Sequence, residues 1–183
     1  MIYVALLRGI NVGGKNKVDM KLLKETFERL GLKNVKTYIN SGNIIFSDKK
    51  RSAKKLTELL ETAIKRDFGF EVRALLRDSK NIKAVTEALP SSWTNDASMK
   101  CDVMFLWPDR DSPKILEQLT IKPEIDDVRY VEGALLWSVD RKKVTKSGMM
   151  KLAGNKLYKN MTIRNCNTVR KIMALIKEAG FDE

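Results

Sequence analysis

The chain is 183 residues long and carries 35 Lys and Arg against 23 Asp and Glu, a formal net charge of +12, with no histidine. The missing imidazole excludes a Ser-His-Asp or Cys-His centre, a His-ligated metal and a histidine pH switch, so any chemistry must run on Asp, Glu, Lys, Arg, Tyr, Ser or Cys. With 43% hydrophobic and 32% charged residues the chain reads as a globular protein with a core of its own, and its longest apolar runs, 4–7 and 103–107, fall far short of the roughly 18 residues of a membrane span.

Residues 2–7 are an apolar, β-branched and aromatic run that predicts a buried strand, followed by a Gly-rich loop over 8–18. With no basic n-region, long apolar stretch or small-residue cleavage site, this start is expected of a mature cytoplasmic protein. Asp19 caps a helix whose apolar positions Met20, Leu23, Phe27 and Leu30 follow the helical period, and Gly31 ends it. Val35, Thr37 and Ile39 alternate with Lys36, Tyr38 and Asn40, turn residues 40–43 follow, and 44–46 continue the ribbon, which predicts a hairpin. A second helix starts at Ser52, keeps Leu56, Leu60, Ile64 and Phe68 on one face and stops at Gly69, and residues 70–76 predict a fourth strand. The order β-α-β-β-α-β predicts an α+β protein whose first subdomain, residues 1–78, is ferredoxin-like: an antiparallel four-stranded sheet with two helices on one face and the other face open.

Residues 79–183 predict a second α+β subdomain. Ser79 starts a helix ended by Pro90, residues 102–107 form a strand, and Ser112-Pro113 opens a short helix through Leu119. Residues 128–131 and 135–139 form a hairpin across Glu132-Gly133, with Asp126-Asp127 ahead of it as a solvated turn. Met149, Met150, Leu152 and Leu157 predict one short helix, and Asn167 caps a last one with Val169, Ile172, Met173 and Ile176 inward. Cys101 and Cys166 stand far apart and in no Cys-x-x-Cys pair, which argues for reduced structural thiols and against a disulfide framework or a zinc site. Neither a cofactor nor a metal is expected.

The charge is distributed unevenly. Between Arg141 and Lys177 there is no acid, while Arg141, Lys142, Lys143, Lys146, Lys151, Lys156, Lys159, Arg164, Arg170, Lys171 and Lys177 supply 11 positive charges. Residues 1–18 are also free of acids and carry Arg8, Lys15 and Lys17, whereas 19–140 are nearly balanced at 21 basic and 20 acidic residues.

Residues 9–16, GINVGGKN, approach a phosphate-cradling P-loop but lack its final Ser or Thr, and the hairpin downstream argues against the parallel sheet that motif requires. Two readings of the loop remain. Backbone N–H groups at Gly13 and Gly14, helped by Arg8 and Lys15, face an anion; or the glycines simply permit positive φ in a tight connection, the plainer alternative and the one placed first. Tyr3 invites comparison with RNA-recognition domains, yet residues 43–47 lack their second aromatic motif, so Tyr3 reads as sheet packing. Cys166, two residues from Arg164 and beside Asn167, is the candidate nucleophile; without an imidazole partner it reads more simply as a small buried residue.

Three segments, residues 6–14 (LLRGINVGG), 37–46 (TYINSGNIIF) and 162–169 (TIRNCNTV), resemble in order and nearly throughout the chain a family of bacterial proteins of unknown function, DUF1697. The resemblance implies a ferredoxin-like first subdomain and a distinct α+β second one, and brings no activity. Family members usually carry Trp where this chain has Cys166, which counts against a family-wide nucleophile there and leaves Arg164, Asn165 and Asn167 as the polar residues of that segment.

The candidate ligand-binding residues are therefore Arg8, Asn11, Gly13, Gly14, Lys15, Ser41, Asn43, Arg164, Asn165 and Asn167, joined by Lys146, Lys151 and Lys156 of the basic segment. The amides and hydroxyls among them serve equally well to cap helices and satisfy turns. The first expectation is a cytoplasmic protein that binds a phosphate-rich partner, nucleic acid or another polyanion, through 141–177 aided by the 8–17 loop. The alternative is an enzyme acting on a phosphorylated or carboxylated small molecule at a cleft between the subdomains, held by Arg8, Lys15 and Arg164. A third class is an adaptor that forms homo-oligomers through its open sheet face. No membrane partner is expected.

Overall fold

Strands buried on both faces read as continuous apolar runs, and Ile2–Arg8 forms such a strand, β1, in the computed structural model, which describes residues 1–179. Strands β2 (Lys33–Tyr38), β3 (Asn43–Ser47) and β4 (Arg73–Asp78) join it in the order β2-β3-β1-β4, every neighbouring pair antiparallel. Helix α1 (Met20–Arg29) is capped by the Asp19 carboxylate on the Leu22 N–H, and α2 (Ala53–Phe68) by the Ser52 hydroxyl on the Lys55 N–H, with Gly69 as the left-handed stop. β4 begins three residues later than the apolar pattern suggests, because its register runs from Arg73 opposite Arg8 to Asp78 opposite Tyr3 and so follows β1 over most of its length.

Tyr3, Ala5 and Leu7 share one sheet face with Ile44, Phe46, Ala74 and Leu76, and onto it pack Leu23 and Phe27 of α1 and Leu56, Leu60 and Ile64 of α2. Phe46 stacks on Tyr3 with ring centroids 5.8 Å apart and meets Phe27 edge-on at 5.6 Å. Burying a large apolar side chain of this kind contributes roughly 1.5–3 kcal/mol. Tyr3 thus lies under the helices as sheet packing. The second face is not open as expected: Val4, Leu6, Ile45 and Leu75 on that side are buried. Their apolar character, interleaved with the first set, had encoded it.

The chain divides into two compact units, one made of Met1–Lys80 with the chain from Leu175 onward, the other of Asn81–Ala174. Helix α3 (Ser79–Ala88) leads into strands β5 (Met99–Leu106), β6 (Asp127–Val131), β7 (Ala134–Asp140) and β8 (Met161–Asn165), and α4 (Cys166–Glu178) closes the series. Their sheet runs β6-β7-β5-β8, again wholly antiparallel. The chain is a mixed α+β protein with two four-stranded antiparallel sheets.

Three expectations for this half need correction. β8 is an additional strand: Met161 and Ile163 join the apolar cluster of one sheet face, while Thr162 and Arg164 alternate with them, are polar and yet are buried, which hides the strand pattern. Asn167 does not cap α4; the Asn165 side-chain Oδ1 accepts the Thr168 N–H at 2.8 Å, so the helix starts two residues earlier. In place of one short helix there are three consecutive 3-10 helices, Arg141–Lys146, Gly148–Gly154 and Lys156–Asn160, capped in turn by the side chains of Asp140, Ser147 and Asn155. Each cap restarts the backbone, and short runs are what 3-10 geometry sustains. Among the described residues no helix is long and apolar enough to cross a membrane.

Candidate functional site

In the first unit, the β1–α1 loop and the β2–β3 turn meet. Val12–Lys15 is a miniature hairpin: the Lys15 N–H donates to the Val12 carbonyl at 3.1 Å, and Gly13 and Gly14 both hold positive φ, 59° and 75°. Two successive positive φ values are the requirement of a type I′ turn, which side chains other than Gly and Asn meet poorly. Asn11 ties the loop down. Its Oδ1 accepts the Val18 N–H at 2.8 Å, and its Nδ2 donates to the carbonyls of Val18 at 3.1 Å and Asn40 at 2.9 Å. Asn43, fully buried, donates to the Tyr38 carbonyl and the Ser41 hydroxyl, each at 3.0 Å. Between these two clamps Ile39 sits at φ 49°, a left-handed conformation unusual for a β-branched residue, with 46% of its surface exposed. Beside the loop an open pocket of about 620 Å³ is lined by Asn11, Gly14, Lys17, Asp19, Lys21 and Asn40 among others. Arg8 ends β1, half-buried opposite Arg73, and Lys15 is exposed on the hairpin.

In the second unit, the three 3-10 helices form a layer on one face of the sheet. Met149, Leu152 and Leu157 are buried there with Met104, Leu106, Leu135, Trp137 and Val139, and Val144 is packed alongside. Asp126 pins this layer. Its carboxylate accepts hydrogen bonds from the Trp137 indole at 3.1 Å, the Gly148 N–H at 3.0 Å, the Lys122 N–H at 3.0 Å and the Ser147 hydroxyl. Burial alone would raise its pKa; the donors from Ser147, Lys122, Trp137 and Gly148 more than offset that and hold it below the ordinary carboxylate value. The solvated turn expected at Asp126-Asp127 is not formed: Asp127 is exposed but opens β6, and a folded ring of donors pulls Asp126 inside. At Gly148 a Cβ would stand 2.3 Å from the Thr120 carbonyl oxygen, so this backbone can approach its neighbour only as glycine.

The outer side of the layer carries Lys142, Lys143, Lys146, Lys151, Lys156 and Lys159, all exposed. Among the described residues none of the first five forms an ion pair, whereas Lys65 bonds Glu71 and Lys100 bonds Asp102, each at 2.8 Å. The arginines of the basic segment behave differently. Arg141 donates to the Asp96 carbonyl at 2.8 Å and to Asn95 Oδ1 at 3.2 Å. Arg170 donates to the carbonyls of Trp93 at 2.6 Å and Pro90 at 2.8 Å. Arg164 is buried on β8, donates to Thr162 Oγ1 at 3.0 Å and the Ile163 carbonyl at 2.8 Å, and has its pKa drawn down to about 10 by burial, still protonated at neutral pH.

Of the residues singled out by sequence, Asn11 bonds the β2–β3 turn within which Asn43 bonds Ser41, Gly14 lines the pocket together with Asn40, and Gly13 and Lys15 belong to the miniature hairpin. The second places Lys146, Lys151 and Lys156 one on each 3-10 helix, and Asn165 and Asn167 at the start of α4, where Asn167 Nδ2 donates to the Asn95 carbonyl at 3.0 Å. Sequence reasoning missed Asp126 and Gly148, whose importance depends on partners some twenty residues away. Cys166, weighed as a nucleophile, is fully buried.

Comparison with known proteins agrees with this architecture. The chain is similar to a conserved bacterial protein from Streptococcus pneumoniae, SP0830, with a TM-score of 0.81 and 32% identity over 96% of this chain and 98% of that one. No curated protein matches it. The family described as "Protein of unknown function (DUF1697)" matches residues 1–137, and the chain belongs to that family.

Proposed function

We propose that the protein is a cytoplasmic binding protein for a phosphate-rich polyanion, nucleic acid first among them, and that it binds through the lysine-bearing layer of residues 141–160. The observation that supports this is the division of labour in the basic segment: its arginines are bonded to the fold, while Lys142, Lys143, Lys146, Lys151 and Lys156 are exposed and free of ion pairs on a rigidly backed surface. Lysine presents a compact point charge without the planar fork with which arginine reads guanine or clamps a phosphate. The expected binding is therefore independent of base sequence and dominated by counterion release.

The test is a salt titration of a fluorescently labelled oligonucleotide, single-stranded and duplex, with the wild type and a variant carrying Gln at Lys142, Lys143, Lys146, Lys151 and Lys156. For a duplex each phosphate contact removed should flatten the slope of log K against log salt by about 0.9. No binding at low salt, or a slope the variant leaves unchanged, overturns the reading. Saturation by a small phosphorylated compound that persists at moderate salt would favour an enzyme instead.

A further inference from the structure

Two thiols that are 65 positions apart in the chain come together in the second unit. The β5–β8 ladder ends with Asp102 opposite Asn165, and the next residue beyond that pair is Cys101 on β5 and Cys166, the first residue of α4, on the other chain segment. Facing residues of an antiparallel pair have Cα atoms about 4.5–5.5 Å apart, so the Asp102–Asn165 pair delivers the two chain segments to the cysteines at a separation close to the roughly 4.4–6.8 Å that a disulfide accepts. The Cys101 thiol lies against that of Cys166, and burial together with this neighbour pushes its pKa up. Both cysteines are free and neither side chain reaches solvent. The Cys166 sulfur also receives the Arg170 guanidinium at 3.7 Å and lies 3.9 Å from the Trp93 carbonyl.

We propose that Cys101 and Cys166 form a two-electron oxidation site, a thiol pair that closes to a disulfide across the junction of β5 and α4 when it meets a small peroxide. The sulfur of one cysteine attacks a peroxide oxygen, the O–O bond breaks, and the leaving hydroxide departs as water with that thiol's proton, which leaves a sulfenic acid. The second sulfur then attacks the sulfenic sulfur, the S–O bond breaks, and a second water leaves with the remaining thiol proton. The two thiols lose two electrons in total and hydrogen peroxide is reduced to two waters. A reagent near the size of water suits a pair without surface access, whereas a bulky alkylating agent is expected to reach these thiols only once the unit opens. This site is particular to a chain with cysteine at 166, and it is independent of the polyanion reading.

The experiment exposes the folded full-length protein to hydrogen peroxide, quenches it, alkylates the remaining thiols in denaturant without reduction and maps the peptides. The expected result is a peptide containing Cys101 joined to one containing Cys166, the joint loss of both free thiols, their recovery with dithiothreitol, and a higher urea midpoint for the oxidised monomer, since the bond closes a long loop. Cys101→Ser and Cys166→Ser should each abolish the joined peptide, and Cys101→Ala repeats the control without a new hydroxyl. Two thiols still free when the exposed methionines are already oxidised, separate conversion of each cysteine to sulfinic acid, or a bond between two chains would each overturn the assignment.

Discussion

The loops of the first unit and the layer of the second commit their polar side chains in opposite ways. Around 8–18 and 38–43 the asparagines are engaged with backbone: Asn11 holds Val18 and Asn40, and Asn43 holds Tyr38. Across 141–160 the same backbone duty falls to three short caps, Asp140, Ser147 and Asn155, and to the buried carboxylate of Asp126, and the side chains of Lys142, Lys143, Lys146, Lys151 and Lys156 take no part in it. Motif residues with conspicuous chemistry can be the mortar of a fold, while the plainest residues of a segment carry its free charge. The comparison can be broken by moving charge, by loosening the layer, or by loosening the loops.

Moving charge has the largest expected effect. Five Lys→Gln changes in the layer should flatten the duplex salt slope by about 4.5 if each lysine meets one phosphate, against about 1.8 for the pair Lys15→Gln and Lys17→Gln if the hairpin shares in binding. A larger change from the hairpin pair than from the layer would reverse the assignment of the binding surface. Circular dichroism on both variants controls for folding, since exposed lysines without partners should be replaceable at little cost to stability.

Loosening the layer comes next. Asp126→Asn keeps the shape but turns an amide N–H₂ toward donors that had faced a carboxylate, and urea unfolding at pH 7 should show a loss of about 3 kcal/mol. The sign with pH follows from the lowered carboxyl: its stabilisation is complete above the unfolded pKa of about 3.9 and disappears as pH falls through the lower folded value. Below about pH 4 the wild type should therefore lose stability more steeply than the Asn variant. Polyanion affinity separates rigidity from charge here. Removing a negative charge alone would strengthen binding, whereas a layer that must be held in place would bind less well.

Local signals made the first unit legible. Asp19, Ser52 and Gly69 marked helix ends through bonds within three or four residues of themselves, and the run of residues 2–7 marked a central strand. The layer of the second unit was not legible for two reasons. Over six residues a period of three is hard to tell from 3.6, so consecutive 3-10 helices resemble one helix. The burial of Asp126 is also decided by Ser147 and Gly148, and the pairing of Cys101 with Cys166 by a strand register, which no local window contains. For the candidate site the total charge of 141–177 was visible, but its division into bonded arginines and exposed lysines required each guanidinium's partners.

Loosening the loops should cost less. Asn11→Ala removes three hydrogen bonds to backbone and leaves alanine at φ 52°, which together should lower stability by about 2 kcal/mol in thermal or urea unfolding. The polyanion salt slope should stay unchanged. A variant that keeps its stability but loses binding would place ligand contacts on Asn11 itself and erase the contrast between the two regions.

The smallest expected change is the most informative about how the β2–β3 turn is set. Ile39 holds φ 49°, a conformation that costs an L-residue roughly 1–2 kcal/mol, so Asn, which enters this region readily, should recover part of that. The side chain is 46% exposed, so the same substitution gives up about half of the roughly 1.5–3 kcal/mol that full burial of an isoleucine contributes. The two terms are of similar size and opposite sign, and Ile39→Asn should shift stability by less than about 1 kcal/mol. That outcome requires the turn to be shaped from outside, by Asn43 on the Tyr38 carbonyl and Asn11 on the Asn40 carbonyl, and not by the preference of residue 39. A loss well above that bound would instead make the Ile39 side chain an anchor of the turn, and the clamping asparagines would then be secondary to its packing.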